Sequence, residues 1–385
     1  MSVLLRLTCG FTCIVLLTTT GACDTSHSLV AATPRSTETL QTVTEGLKPL
    51  IDKLVSADQF AGVVAISKNG KLLFAQAYGL ADQSTKAPVT LDSKFVVASV
   101  TQTFTAVAIA QLAEQRKLVF KAPLSQYLPN YPSEQAKRLT IHQLLTHTGG
   151  FFDVTRSKPF RQKPSEFKTL KDYLALVESQ PLTSADQKYE YTDGDCVVLG
   201  AIIEQVSGQG YYDYVRDHLF RPAKMNDSGF DLLPRPNGMA IGYTSRDLGG
   251  PTQSSLVGQR HDNQVILPAK ASPGVAAYST APDLLRYGEA LLQHRLLSVS
   301  GTENLLSGKV ETGEAGPRQK YGYGFFEGMI GPVRVVNHGG TGPGIDVAFD
   351  LYPELGYVVV IMSNYDPPAA QQIRDELRNR IAAQK

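Results

Sequence analysis

Apolar positions change period along the chain, and the changes mark the elements. Leu47, Leu50, Ile51 and Leu54 recur at helical spacing, and the next run, GVVAISKNGKLLFAQAYG, places two apolar strands about Asn69-Gly70, the signature of an antiparallel hairpin. Four small or apolar residues (FVVA) then lead into Ser99, after which Phe104, Val107, Ala108, Leu112 and Ala113 predict a helix with one apolar face. Helical spacing returns in Leu139–Gly150, Leu170–Val177, Cys196–Val206 with a glycine stop at Gly208, and Ser279–Leu292. Between them, 152–168 is charged and loop-like, and 222–251 is irregular and rich in Pro and Gly. Three runs of β-branched and aromatic residues, VRVVNHGG, GIDVAFDLYP and YVVVIMSNY, precede a closing helix over 368–383. Neither end has enough strands to be stable alone, so the two ends are expected to share one sheet.

The first 22 residues do not belong to this pattern. Arg6 is the only charge before Asp24, Leu7–Leu17 is a short apolar core, and small residues lead into Cys23, which together predict an export signal. Two readings stay open: a lipoprotein leader with Cys23 as the acylated N-terminus, although Thr20 stands where that pattern prefers Leu, or ordinary cleavage after Ala22. Residues 23–42, polar and rich in Ser and Thr, read as a tether. Of the four cysteines only Cys196 lies beyond the leader region, which excludes an internal disulfide framework and a zinc site built on paired cysteines. Cys196 precedes VVLGAII and reads as a core residue. The formal charge of +1, with no basic run, argues against nucleic acid as a partner.

Ser99 has two readings on local grounds. A serine at the first turn of a buried helix has free N–H groups and the positive end of the helix beside its hydroxyl, where a nucleophile and an oxyanion are both stabilised. Ser99 through Gln102 also spells a capping box.

Seven pieces in order, FVVASVTQTFTAVAIAQLAE, LTIHQLLTHTGG, KYEYTDGDCVVLGAIIEQVSGQGY, LFRPAKMNDSGF, YSTAPDLLRYGEALL, YGYGFF and NHGGTGPG, resemble the serine β-lactamase and penicillin-binding-protein superfamily, in its class C, esterase and D,D-peptidase branch. The resemblance covers about residues 43 to 381. It implies an α/β fold of β-lactamase/transpeptidase type: an antiparallel sheet from about 43–98 and 300–385, flanked by helices, and a largely helical region over about 99–299. It also implies that Ser99 is the nucleophile, Tyr191 the proton-handling tyrosine, and His338, Gly339, Gly340 and Thr341 the substrate-binding edge, with the backbone N–H groups of Ser99 and Thr341 as oxyanion hole. No cofactor or metal is implied; the expected partner is a small-molecule or peptide substrate, with a membrane contact if Cys23 carries lipid.

Two positions depart from the family. Gln102 stands where the family has lysine, and an amide has no proton to exchange near neutral pH. Asp193 stands in Tyr191-Thr192-Asp193 where asparagine is usual; when ionised it only accepts hydrogen bonds, and its charge disfavours a tyrosinate. Ser165-Glu166-Phe167-Lys168 spells the lost motif but lacks its surroundings, and His147, at a turn in LLTHTGG, is assigned to the scaffold. Two functions follow: an exported serine hydrolase of amides or esters working through a Ser99 acyl-enzyme, or a catalytically impaired relative that binds a peptidoglycan fragment, a β-lactam or a protein partner.

Overall fold

The computed structural model describes residues 43–44, 46–183, 188–248 and 259–384. The expected leader, Cys23 and the tether lie outside the described residues. Eighteen elements frame the fold: α1 (Leu47–Ser56), β1 (Gly62–Lys68), β2 (Lys71–Tyr78), β3 (Phe95–Ala98), α2 (Thr101–Glu114), α3 (Ile141–Leu145), α4 (Leu170–Glu178), α5 (Gly194–Ser207), β4 (Ala277–Ser279), α6 (Ala281–Leu292), α7 (Val299–Leu306), β5 (Val310–Glu311), β6 (Lys320–Tyr321), β7 (Phe326–Ile330), β8 (Val333–Gly342), β9 (Ile345–Tyr352), β10 (Tyr357–Ser363) and α8 (Ala369–Ala382).

The two ends of the chain do share one sheet. Its order is β2-β1-β10-β9-β8-β7-β6-β5, antiparallel throughout, with Gly62 opposite Ser363 where the N-terminal hairpin joins the C-terminal strands. Asn69 and Gly70 make the hairpin turn with φ of 50° and 78°, the left-handed pair that a two-residue connection needs. YVVVIM in β10 is apolar at every position because both faces of the sheet are covered. Val358, Val360 and Met362 pack with Leu284, Tyr287 and Leu291 of α6, whereas Val359 and Ile361 pack with Ile51 of α1 and Ile373 and Leu377 of α8. Each such burial contributes about 1.5–3 kcal/mol. Helix α8 is also fixed by Arg378, whose guanidinium grips the buried Asp350 carboxylate of β9 at 2.6 and 2.9 Å.

Between the sheet strands lies the helical region, and α2 runs through it. Every residue from Thr101 to Leu112 is buried, so the expected single apolar face is a helix enclosed on all sides. This is why its polar residues look inward: Thr105 bonds Tyr211 and the Pro273 carbonyl, and Gln111 bonds the carbonyls of His218 and Leu296. The capping box is not formed. Val100 precedes the helix without a side-chain cap, and the Gln102 side chain turns into the protein instead of back towards the chain start.

Candidate active site

Strand β3 and helix α2 meet at Ser99, and the turn between them is tight. Ala98 has a φ of 43°, a left-handed conformation costly for a residue with a Cβ, and the turn is held by Val100 N–H to Val97 O (3.1 Å) and the Thr101 hydroxyl to Ala98 O (2.6 Å). The turn leaves Ser99 partly exposed between buried Ala98 and Val100. Strand β8 approaches this corner closely. A Cβ on Gly340 would lie 2.2 Å from the Val97 carbonyl oxygen and 3.0 Å from the Ala98 Cβ, so a glycine is what allows the His338–Thr341 segment to reach the strand that leads into Ser99.

Tyr191 faces Ser99 across the cleft. Burial pushes its phenol well above the usual tyrosine range, and the neighbouring Ser99 acts in the opposite direction. The residue is 36% exposed, and its ring stacks on Phe326 and lies 4.7 Å from His147 and 6.1 Å from His338, centroid to centroid. Ser99, Tyr191, Phe326, His338 and Thr341 line a cavity of about 160 Å³, with Arg318 at its edge stacked over Phe326 at 4.0 Å. Thr341 also lines a second cavity of about 310 Å³, walled by Val96, Phe160, Leu267, Val275 and Ile345. Thr341 is thus shared by a polar cavity and an apolar one.

Behind Ser99, Gln102 is 1% exposed. Its Oε1 lies 3.1 Å from His147 Nε2 and 3.3 Å from the Tyr321 hydroxyl, which is itself 3.0 Å from His147 Nε2. The Gln102 amide nitrogen has no partner among the described residues. His147 is fully enclosed, with a left-handed φ of 52°, and its Nδ1 faces Asp195 Oδ2 at 3.4 Å. Burial lowers His147 to about 3 and raises Asp195, and neither His147 Nδ1 nor the Asp195 carboxylate makes a hydrogen bond among the described residues. His338 is likewise lowered to about 3 by burial and is held by its Nδ1 at 2.8 Å from the Gly339 carbonyl.

Asp193 neither lines the cleft nor turns outward. Its Oδ1 accepts from the Val154 N–H at 2.7 Å, and burial, with the nearby Asp153, raises its carboxyl well above the ordinary range. Asp193 still acts on Tyr191 in the direction that the sequence raised, since its charge adds to the upward shift of the phenol. Ser165 and Lys168 are both exposed, and Lys94 is committed to Asp227 and the Asn237 carbonyl. Cys196 is a core residue, its thiol pushed up by burial. Sequence reasoning missed Tyr321 and Asp195 and placed His147 in the scaffold. YGYGFF and the Thr-Asp-Gly-Asp turn marked their neighbourhoods, but only folding brings 102, 147, 195 and 321 together. Among the described residues no group of His, Cys, Asp or Glu could hold a metal ion.

An antiparallel sheet with a serine at the head of a buried helix, a facing tyrosine and a glycine-bearing edge strand defines the β-lactamase and penicillin-binding-protein class. The chain belongs to the Beta-lactamase family, whose model matches residues 47–384. It is similar to the putative penicillin-binding protein PbpX of Bacillus subtilis (27% identical over 335 residues, 86% of this chain and 76% of that protein). It is also similar to the teichoic acid D-alanine hydrolase of Staphylococcus aureus (26% over 317 residues, 82% and 72%). Among solved structures, a penicillin-binding protein from Bacillus halodurans superposes with a TM-score of 0.73 at 28% identity, over 90% of this chain and 99% of that one.

Proposed function

We propose that the protein is an exported serine hydrolase that opens an ester or amide through an acyl-enzyme on Ser99. The observation that carries this reading is that Ser99 and Tyr191 line one cavity with Thr341, where Gly340 lets β8 approach the strand that leads into Ser99. Tyr191, as phenolate, takes the Ser99 proton while the Ser99 oxygen bonds the carbonyl carbon; the proton then passes to the departing oxygen or nitrogen, and the Ser99 and Thr341 N–H groups hold the oxyanion. The 310 Å³ cavity favours a substrate with an apolar group on one side of the scissile bond, and Arg318 favours an anionic group on the other. The penicillin-binding and D-alanine hydrolase relatives support a cell-envelope substrate, and the leader supports export with attachment through Cys23.

A binding-only role is the second reading, favoured by Gln102 standing where the family has lysine. A fluorophosphonate or penicillin decides between them. We expect a covalent adduct on the mature protein that maps to Ser99, vanishes in Ser99→Ala and persists in Ser165→Ala. No adduct with either reagent, alongside saturable binding, would leave the binding role standing.

A further inference from the structure

We propose, resting on the hydrolase reading of Ser99, that the site selects esters or amides of a bulky apolar acyl group, seated in the cavity of about 310 Å³, and discriminates against an alanyl group.

Proton delivery sets which half of the substrate lies where. Tyr191 hands the proton to the departing atom, so the leaving group belongs on the Tyr191 side, in the cavity of about 160 Å³ that Ser99, Tyr191, Arg318 and Arg374 line. The larger cavity takes in Ala98, the residue before the nucleophile, and meets the smaller one at Thr341, but neither Ser99 nor Tyr191 lines it. A carbonyl placed at that junction, with its oxygen towards the Thr341 N–H, sends its acyl chain into the larger cavity.

The wall there suits hydrocarbon and is already in place. Val96, Phe160, Leu267 and Ile345 are buried, and the Phe160 ring is held against Phe167 and Tyr173 at centroid distances of 5.0 and 6.1 Å. The charged residues on the lining, Arg161 and Asp247, are both exposed and so belong to its rim. An apolar cavity of roughly 150 Å³ takes up one benzene. At about 310 Å³, this one has room for a phenylalkyl or medium-length alkyl chain, far more than the methyl of an alanyl group fills. Charge points the same way. An alanyl ester carries an ammonium next to its carbonyl, and among the described residues no Asp or Glu lines the Ser99 cavity, whereas Arg318 and Arg374 do. The cation would meet like charges and no partner.

Ester turnover by the mature protein tests this with one fixed leaving group. For p-nitrophenyl acetate, propionate, butyrate and hexanoate, each corrected for its uncatalysed rate, kcat/KM should rise roughly fourfold per methylene. The p-nitrophenyl ester of D-alanine should be slower than the propionate, from which it differs only by the ammonium. Gly342→Val narrows the cavity from β8 without strain, since its Cβ would lie 3.7 and 3.9 Å from Cδ1 and Cβ of Ile345, in ordinary contact. Val275→Phe narrows it from another wall. With folding checked by melting curves, both should keep acetate turnover within a few-fold and lower hexanoate turnover by about tenfold or more. Fluorophosphonate labelling of Ser99, measured separately, reports on the hydrolase reading itself. Where labelling occurs, a flat or falling chain-length profile, a D-alanyl ester faster than the propionate, or a hexanoate-to-acetate ratio unchanged in both variants overturns the acyl assignment and leaves the hydrolase intact. If no adduct forms, the hydrolase reading fails on that result, and calorimetry with 4-phenylbutyrate judges the cavity. Binding that both variants lose supports an apolar acyl site; no binding, or equal binding by all three proteins, overturns it.

Discussion

Gly340→Ala is the smallest change that tests how the site is assembled. The new Cβ would meet the Val97 carbonyl oxygen at 2.2 Å and the Ala98 Cβ at 3.0 Å, where ordinary contact begins at 3.4 Å. Both obstacles are close to the backbone: the carbonyl belongs to the strand leading into Ser99, and Ala98 is already left-handed. Neither can swing away as a long side chain would. Strands β8 and β3 must therefore part by about 1 Å, an overpacking that costs roughly 1–3 kcal/mol. The same displacement moves the Thr341 N–H away from Ser99, and an error of about 1 Å in a catalytic constellation costs on the order of 100-fold. Gly339→Ala serves as the control, since its Cβ would sit 3.3 Å from the Val347 carbonyl oxygen, a milder contact. Thermal melts and fluorophosphonate labelling should show Gly340→Ala folded, less stable and roughly 100-fold slower, with Gly339→Ala much nearer the natural protein. Unchanged labelling in Gly340→Ala would refute the claim that this close approach builds the oxyanion hole.

The buried ionisable groups predict opposite pH dependences. Asp193 has a raised folded pKa, so its stabilising contribution is complete below the ordinary 3.8 and is lost as pH rises through the folded value. Asp193→Asn should therefore gain melting temperature on the natural protein as pH rises. His338, lowered from 6.5 to about 3, contributes in full above 6.5 and loses that contribution as pH falls towards 3, so His338→Gln should gain as pH falls; slopes of the reverse sign in either series would contradict the assigned shifts. Cys23, finally, should appear by mass measurement as the acylated N-terminus of the native protein, and an unmodified chain beginning at Cys23 or beyond would exclude the lipid anchor.

Much of this fold is present in the one-dimensional pattern. Apolar runs rich in β-branched residues, the Asn69-Gly70 turn and helical spacings follow from local geometry, so the hairpin, the C-terminal strands and most helices are legible residue by residue. Even the joining of the two ends follows from a local fact, the shortage of strands at each. Motif order also points to Ser99, Tyr191 and β8, because the family that the chain resembles carries those residue types in that order.

Polar side-chain direction is a different matter, because it depends on what surrounds an element on every side. Ser99–Gln102 reads as a capping box until α2 is seen to be enclosed, with His147 and Tyr321 offering the Gln102 oxygen better partners than the chain start. Asp193 reads as an anion until burial and Asp153 raise its pKa. His147 reads as scaffold until Asp195 and Gln102 close on its two nitrogens, from 48 residues after it and 45 before it in the chain. Sequence determined which elements form and which residue types reach the cleft. The tertiary structure alone decided which polar groups are buried and what each one faces, since both are set by packing against neighbours distant in the chain.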